Sequence, residues 1–426
     1  MLGGGNFTSQ NKILPGAYIN FVSAVKAVAN ISNRGIVAIG VSLDWGIDSA
    51  VFTVTNEEFM KNSLKLFGYE YTANELKSLR DLFKHAKKVL FYRLNTGKKA
   101  TNTYADAKYS GTKGNDINIV ISANVDVPSK FDVKTFFGTI LVSEQIGVAN
   151  AAELVNNDYV TWKSAASLAI TPGTKLAGGT NEAVTGTQHT AFLTAIESFG
   201  FNILACTATE PNTKVLYTAF TSRMRNQAGV KFQTVMFDES ANYEGIISVK
   251  NSAELVPWVA GAEASCAING TCTNMIYDGE YDIVTNYTQS QLEDNIKTGR
   301  LTFHRVGEDF RVLTDINSLT EVTADKGVDF KSNQTIRVLD QIGNDIAALF
   351  NSKYLGKIQN DESGRISLWS DLVTYFKELE RMRAIEAFDP ADVTVDKGSD
   401  KKSVVIYSSV TPTNCMEKLY MTVVVE

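Results

Sequence analysis

Short, largely apolar strands alternating with helix-start signals constrain this chain more than any other feature. GIVAIGV at 35–41, VLFYRL at 89–94, FNILAC at 201–206, KFQTVMF at 231–237 and GIISVK at 245–250 have strand length, and they are too apolar for burial on one face only. Thr55-x-x-Glu58 and Thr72-x-x-Glu75 have capping-box spacing, the second leading Leu76, Leu79, Leu82 and Phe83 along one helix face. Further helices are expected around 188–199, 212–226 and 253–267. This alternation implies a largely parallel sheet covered by helices. The run 97–179 interrupts it with strand-like INIVIS, KFDVKTFF and TILVSEQI. It reads as an inserted β-rich domain whose two ends lie close together.

Beyond residue 300, LTFHRV and FRVLTDI predict a hairpin around Gly307. A helix follows with Ile336, Leu339, Ile342, Ile346, Leu349 and Phe350 in one stripe, ended by Gly356. A second helix begins near Ser367, with Leu368, Leu372, Phe376, Leu379 and Ile385 inward. Its other face carries Lys377, Glu378, Glu380, Arg381 and Arg383. Strands DVTVDKG and KKSVVIYSSV come after Pro390.

Both extremities read as strands. MLGGGNFTSQNK is too Gly-rich and polar to order by itself, but in PGAYINF the residues Ala17, Ile19 and Phe21 alternate with Tyr18 and Asn20. In MEKLYMTVVVE, at 416–426, Leu419, Met421, Val423 and Val425 share one face, with Lys418, Tyr420 and Thr422 on the other. That segment is expected to pair with a sheet; the pattern leaves open whether the sheet is its own or another copy's.

Nothing in the composition nominates chemistry. The 426 residues carry 47 acidic and 41 basic side chains, a net charge of −6, with no long basic run for phosphate binding. Four cysteines spaced by six or more make neither a disulfide framework nor a CxxC pair, so reduced thiols are expected. The N-terminus lacks the pattern of a secretory signal, and no apolar run approaches the ~20 residues of a membrane helix. Folding in a cytoplasm is therefore expected. GxxxxGK[ST], GxGxxG after a strand, GxSxG and HExxH are absent. LAGGTNEAVTG at 176–186 lacks a phosphate-neutralising Lys and reads as a boundary loop. Asp278, Glu280 and Asp282 alternate loosely like a calcium loop, with the Gly and closing Glu misplaced. Among the histidines, His85, His189 and His304, none has metal-ligand spacing; a Cys206–His189 nucleophile pair stays open. No catalytic, cofactor-binding or metal residue is nominated, and no cofactor is expected.

The chain resembles the contractile tail sheath proteins of bacteriophages, R-type tail-like bacteriocins and related injection machines, most of all those of Gram-positive bacteria. The resemblance rests on PGAYINF at 15–21, AKYSGTKGNDINIVIS at 107–122, LAGGTN at 176–181, VLTDINSLT at 312–320, YLGKIQND at 354–361 and the terminal MEKLYMTVVVE. Each stretch is short; their order and spacing are specific. The Gly-rich MLGGGN departs from the usual start.

The resemblance implies an α/β and α+β multidomain fold. Residues 1–22 form an N-terminal arm, 23–96 with 177–299 an α/β middle domain, and 97–176 the inserted outer domain. Residues 300–414 form a tube-facing C-terminal domain and 415–426 a C-terminal arm. It further implies that the arms, through Ile13, Pro15, Gly16, Tyr18, Ile19 and Phe21 and through Leu419, Tyr420, Met421, Val423 and Val425, complete neighbours' C-terminal sheets. Hexameric rings would stack around an inner tail tube, with Lys377, Glu378, Arg381 and Arg383 as candidate tube-facing residues, and contraction would drive that tube through an envelope. The implied partners are further copies, the tube protein, and baseplate and terminator proteins. Nucleic acid and membrane insertion are not among them. The implied location is a virion or tail-like particle assembled in the bacterial cytoplasm. Two other readings are an α/β enzyme with an unrecognised site and a surface adhesin.

Overall fold

A computed structural model describes residues 3–5, 13–18 and 34–425. Ile19, Phe21 and the start of the expected middle domain at 23–33 lie outside the described residues. The chain divides into two compact units. One comprises Met1–Ala38, Ser78–Lys87 and Ser198–Glu426; the other comprises Ile39–Lys77 and Lys88–Glu197.

The first unit holds a parallel ladder in which Ile203–Cys206, Gln233–Phe237, Ile246–Val249 and Arg300–Leu301 pair in that order. Ile203, Leu204, Ala205 and Cys206 are all buried, as a strand covered on both faces requires. Helix Val256–Ser265 packs on the first two strands and is buried from Val256 to Ala264. Gly261 permits its close approach to the neighbouring chain, because a Cβ there would stand 2.4 Å from the Leu82 carbonyl oxygen.

The C-terminal part of this unit is built on helices Asn333–Leu349 and Glu362–Arg381. Ile342, Ile346, Leu368, Leu372, Phe376 and Leu379 share one core. Strands Val393–Lys397 and Val404–Ser408 form an antiparallel sheet of two strands, the first of them packed on the second helix. The hairpin Phe303–Val306 and Asp309–Val312 turns at Gly307, whose φ is +62°.

In the second unit, strands Val51–Thr55 and Lys88–Arg93 pair antiparallel. The Thr55–Glu58 capping box opens helix Asn56–Phe67, which closes at Gly68 in the left-handed conformation. Two four-stranded sheets follow. One runs Ile140–Val148, Phe131–Phe137, Ile117–Ala123, Thr171–Lys175; the other runs Val160–Trp162, Ala105–Ser110, Gly97–Thr101, Thr180–Asn181. Their inward faces share a core around Trp45. The Trp45 ring lies 5.2 Å from both Tyr109 and Phe137, and its Nε1 donates to the Lys65 carbonyl.

One sequence expectation needs correction, and two gain detail. Thr72-x-x-Glu75 caps nothing: the chain makes a 3-10 turn at Asn74–Leu76 after Ala73, then helix Lys77–Phe83. The apolar residues Leu76, Leu79, Leu82 and Phe83 are nevertheless buried, so the stripe and not the cap fixes the element. The helix ends as expected at Gly356, which takes a left-handed φ of +70°, although its last turn, Phe350–Tyr354, is π rather than α. At the Gly-rich start, the described residues Gly3–Gly5 pair parallel with Gly16–Tyr18, so they are held by a partner strand and not by themselves. The lack of side chains lets that backbone lie along the π turn Met224–Ala228.

Candidate functional site

The groups that could have carried chemistry have structural partners. Asp278 accepts from the Trp258 indole at 2.8 Å and faces His85 Nε2 at 3.1 Å. Glu280 takes Arg80 in a two-point ion pair at 2.6 and 2.7 Å, and Asp282 is exposed. The calcium-like spacing therefore ties a loop to helix Lys77–Phe83. Cys206 is fully buried, and burial pushes its thiol up to about 12, far from a reactive thiolate. In the Gly-rich 176–186 run, Asn181 bonds the Thr112 amide and the Asp44 carboxylate. Thr185 and Gln188 then close a capping box on helix Gly186–Ile196.

A buried ionic cluster escaped the sequence reading. Arg337, on the polar face of helix Asn333–Leu349, donates to Glu263 at 2.6 Å and Asp315 at 3.1 Å, all three side chains being 1% exposed. Arg34 holds the Glu263 and Cys266 carbonyls. Asp315 also accepts from Asn333 and the Cys272 amide. Glu263, Cys272 and Asp315 place ligand-type atoms within 4.8 Å of one another, yet the guanidinium already occupies both carboxylates. Burial, then the charge of Asp315, holds the Glu263 carboxyl well above its usual 4.5. Burial also works against Asp315, but Arg337 and its hydrogen bonds outweigh that and hold it below 3.8. Asn269-x-Thr271 and the residues after Cys272 form the loop between this cluster and the C-terminal segment.

The extremities differ from each other. Gly16–Tyr18 lies against helix Asn333–Leu349 and the turn after it, with Tyr18 Oη donating to the Leu14 carbonyl. Ile13 is 96% exposed and Pro15 is exposed beside it. At the other end, 413–425 joins no sheet among the described residues. Leu419, Tyr420, Met421, Val423 and Val425 all stand open to solvent, from 69% to 89% exposed. A soluble chain rarely presents so continuous an apolar ribbon without a partner for it.

Of the charges on helix Glu362–Arg381, Lys377 pairs with Glu380 at 3.0 Å and caps the Phe388 carbonyl. Arg381 grips Glu378. Arg383 lies past the helix end, exposed, at φ +59°.

Four family descriptions cover the chain from residue 34 onward. Residues 34–94 match the tail sheath protein Gp18 domain III N-terminal region, and 95–181 the phage tail sheath protein beta-sandwich domain. Residues 182–318 match the phage tail sheath protein central domain, and 325–426 the phage tail sheath C-terminal domain. A relative in Bacillus subtilis, the phage-like element PBSX protein XkdK, is 31% identical over 99% of both chains. The solved sheath tail protein of Desulfitobacterium hafniense is 35% identical, covers 95% of this chain and 99% of its own, and superposes at a TM-score of 0.84. The helical sheath of the anti-feeding prophage in its contracted state shares the fold at 10% identity, covering 98% and 99%, with a TM-score of 0.57. The matched domains together define a structural class, the tail sheath proteins. The chain belongs to the phage tail sheath family, whose members build phage tails and phage-tail-like particles.

Proposed function

We propose that this chain is the repeating subunit of a contractile sheath, joined to its neighbours by strand exchange. The observation that carries the reading is a matched pair: a two-stranded sheet, Val393–Lys397 with Val404–Ser408, and an unpaired apolar segment at 418–425. Two strands alone are marginal in water, and their outer edges present free backbone donors and acceptors. The 418–425 segment, extended, reaches about 26 Å at ~3.3 Å per residue. It supplies a strand whose Leu419, Met421, Val423 and Val425 bury on the neighbour's side while Tyr420 faces outward. The N-terminal residues Ile13, Pro15, Gly16, Tyr18, Ile19 and Phe21 form the second arm.

In this reading 97–176 is the outward domain and 300–414 faces an inner tube, with Lys377, Glu378, Arg381 and Arg383 as candidate tube contacts. Rings of six copies stack, the arms keep them linked, and contraction draws on the assembly's own metastability rather than on a nucleotide. Baseplate and terminator proteins bound the polymer, assembly takes place in the bacterial cytoplasm, and the subunit has no enzymatic role.

Negative-stain microscopy and size-exclusion chromatography of the full chain and of a chain lacking 418–426 test this. The full chain should form tubes or sixfold rings when concentrated, and the shortened one should stay a folded monomer. A full chain that is a uniform globule at every concentration, or a shortened chain that polymerises normally, defeats the proposal.

A further inference from the structure

Among the described residues, the C-terminal segment is held by polar contacts up to Glu417 and by none after it. The Thr413 amide donates to the Ala384 carbonyl at 3.0 Å. Asn414 exchanges hydrogen bonds with Ser332 and Thr335 at 3.0 and 3.1 Å, and the Cys415 amide donates to Gln334 Oε1 at 3.0 Å. The Glu417 carboxylate then receives three hydroxyl contacts. Thr273 Oγ1 lies 2.5 Å from Oε1, and Thr314 Oγ1 lies 3.1 and 3.0 Å from the two oxygens. Residues 418–425 make no hydrogen bond to other described residues and are exposed throughout.

We propose that Glu417, gripped by Thr273 and Thr314, is the clasp that aims the C-terminal strand, and that the chain pivots immediately after it. The proposal rests on the strand exchange described above. The receiving side is rigid: the Asp315 amide donates to Thr273 Oγ1 at 2.9 Å, and Asp315 itself is locked by Arg337 and Asn333. Hydroxyl bonds to an ionised carboxylate are stronger than neutral ones. Engaging both oxygens also fixes the direction in which the chain leaves toward Lys418. A second copy is the partner this geometry serves. Without the clasp residues 416 and 417 join the free tail, while Asn414 and Cys415 keep their own bonds. The strand then searches a larger volume, and more residues must be ordered when it docks.

The test compares the assembly threshold, by light scattering against subunit concentration, with amide exchange in the monomer. Glu417→Ala should raise the threshold about three- to tenfold while the Cys415 amide, held by Gln334, stays protected and the melting temperature is unchanged. Glu417→Gln, which keeps one acceptor oxygen but loses the charge and the second acceptor, should give a threshold between those of the original and Glu417→Ala. Thr273→Val with Thr314→Val should reproduce the alanine effect, and adding Glu417→Ala to that pair should do no more. An unchanged or lowered threshold in Glu417→Ala overturns the clasp, provided that removal of 418–426 abolishes assembly. If removal of 418–426 leaves assembly intact, the strand exchange itself fails.

Discussion

One oxygen of Glu263 shows how far a single residue's chemistry can depend on distant sequence. Oε2 meets Arg337, but Oε1 is buried without a hydrogen-bond partner. Burial and the charge of Asp315 hold Glu263 above 4.5, whereas Arg337 and hydrogen bonds outweigh burial at Asp315 and hold it below 3.8. The two carboxyls act oppositely on stability. The depressed Asp315 contributes stability above its unfolded value of 3.8 and loses it as pH falls. The raised Glu263 contributes fully below its unfolded value of 4.5, and that part is lost as pH climbs toward its folded value. Above pH 4.5 the Glu263 proton therefore costs stability progressively as pH climbs toward the folded value. Glu263→Gln, a permanent neutral analogue, should flatten that dependence in urea titrations across this range. Parallel slopes for the two proteins would show that Glu263 is charged in the folded state.

At the level of elements, the sequence was most readable where local chemistry acts alone. The Thr55–Glu58 box, the Gly307 hairpin and the buried strand Ile203–Cys206 need only neighbours in the chain to be recognised. Thr72-x-x-Glu75 has the same spacing as Thr55-x-x-Glu58 but starts no helix, because a cap only helps a turn that packing already favours. Helix Gln289–Lys297 went unread although Thr288 and Gln291 make a full capping box before it; its face is too polar for an apolar stripe to announce it. Crossing geometry was equally silent. Nothing local marks Gly261 as the point where a helix meets the Leu82 carbonyl. Gly261→Ala should gain a little helix propensity yet lose at least about 2 kcal/mol to the clash with backbone that cannot rotate away. Chemical denaturation reads the balance, and a neutral or stabilising outcome would mean that the crossing is looser than 2.4 Å implies.

For the whole molecule, the alternating pattern at 416–426 reads as strand-forming, yet the segment joins no sheet among the described residues, and a pattern within one chain cannot say where a partner lies. The Arg337 cluster was unreadable for a related reason: Arg34, Glu263, Asp315 and Arg337 are brought together only by the complete topology. Charge, by contrast, was plain from the start and bears on how copies meet. Each subunit carries −6, so approaching copies repel across their whole surfaces. The proposed joining segment is mostly apolar and is attached through backbone hydrogen bonds, neither of which salt weakens appreciably. Screening shortens the repulsion to about 10 Å at 0.1 M and about 3 Å at 1 M. Raising sodium chloride through that range should therefore lower the subunit concentration at which light scattering reports polymer. A threshold that rises with salt would mean that complementary charged patches, not apolar strand addition, dominate the contact between copies.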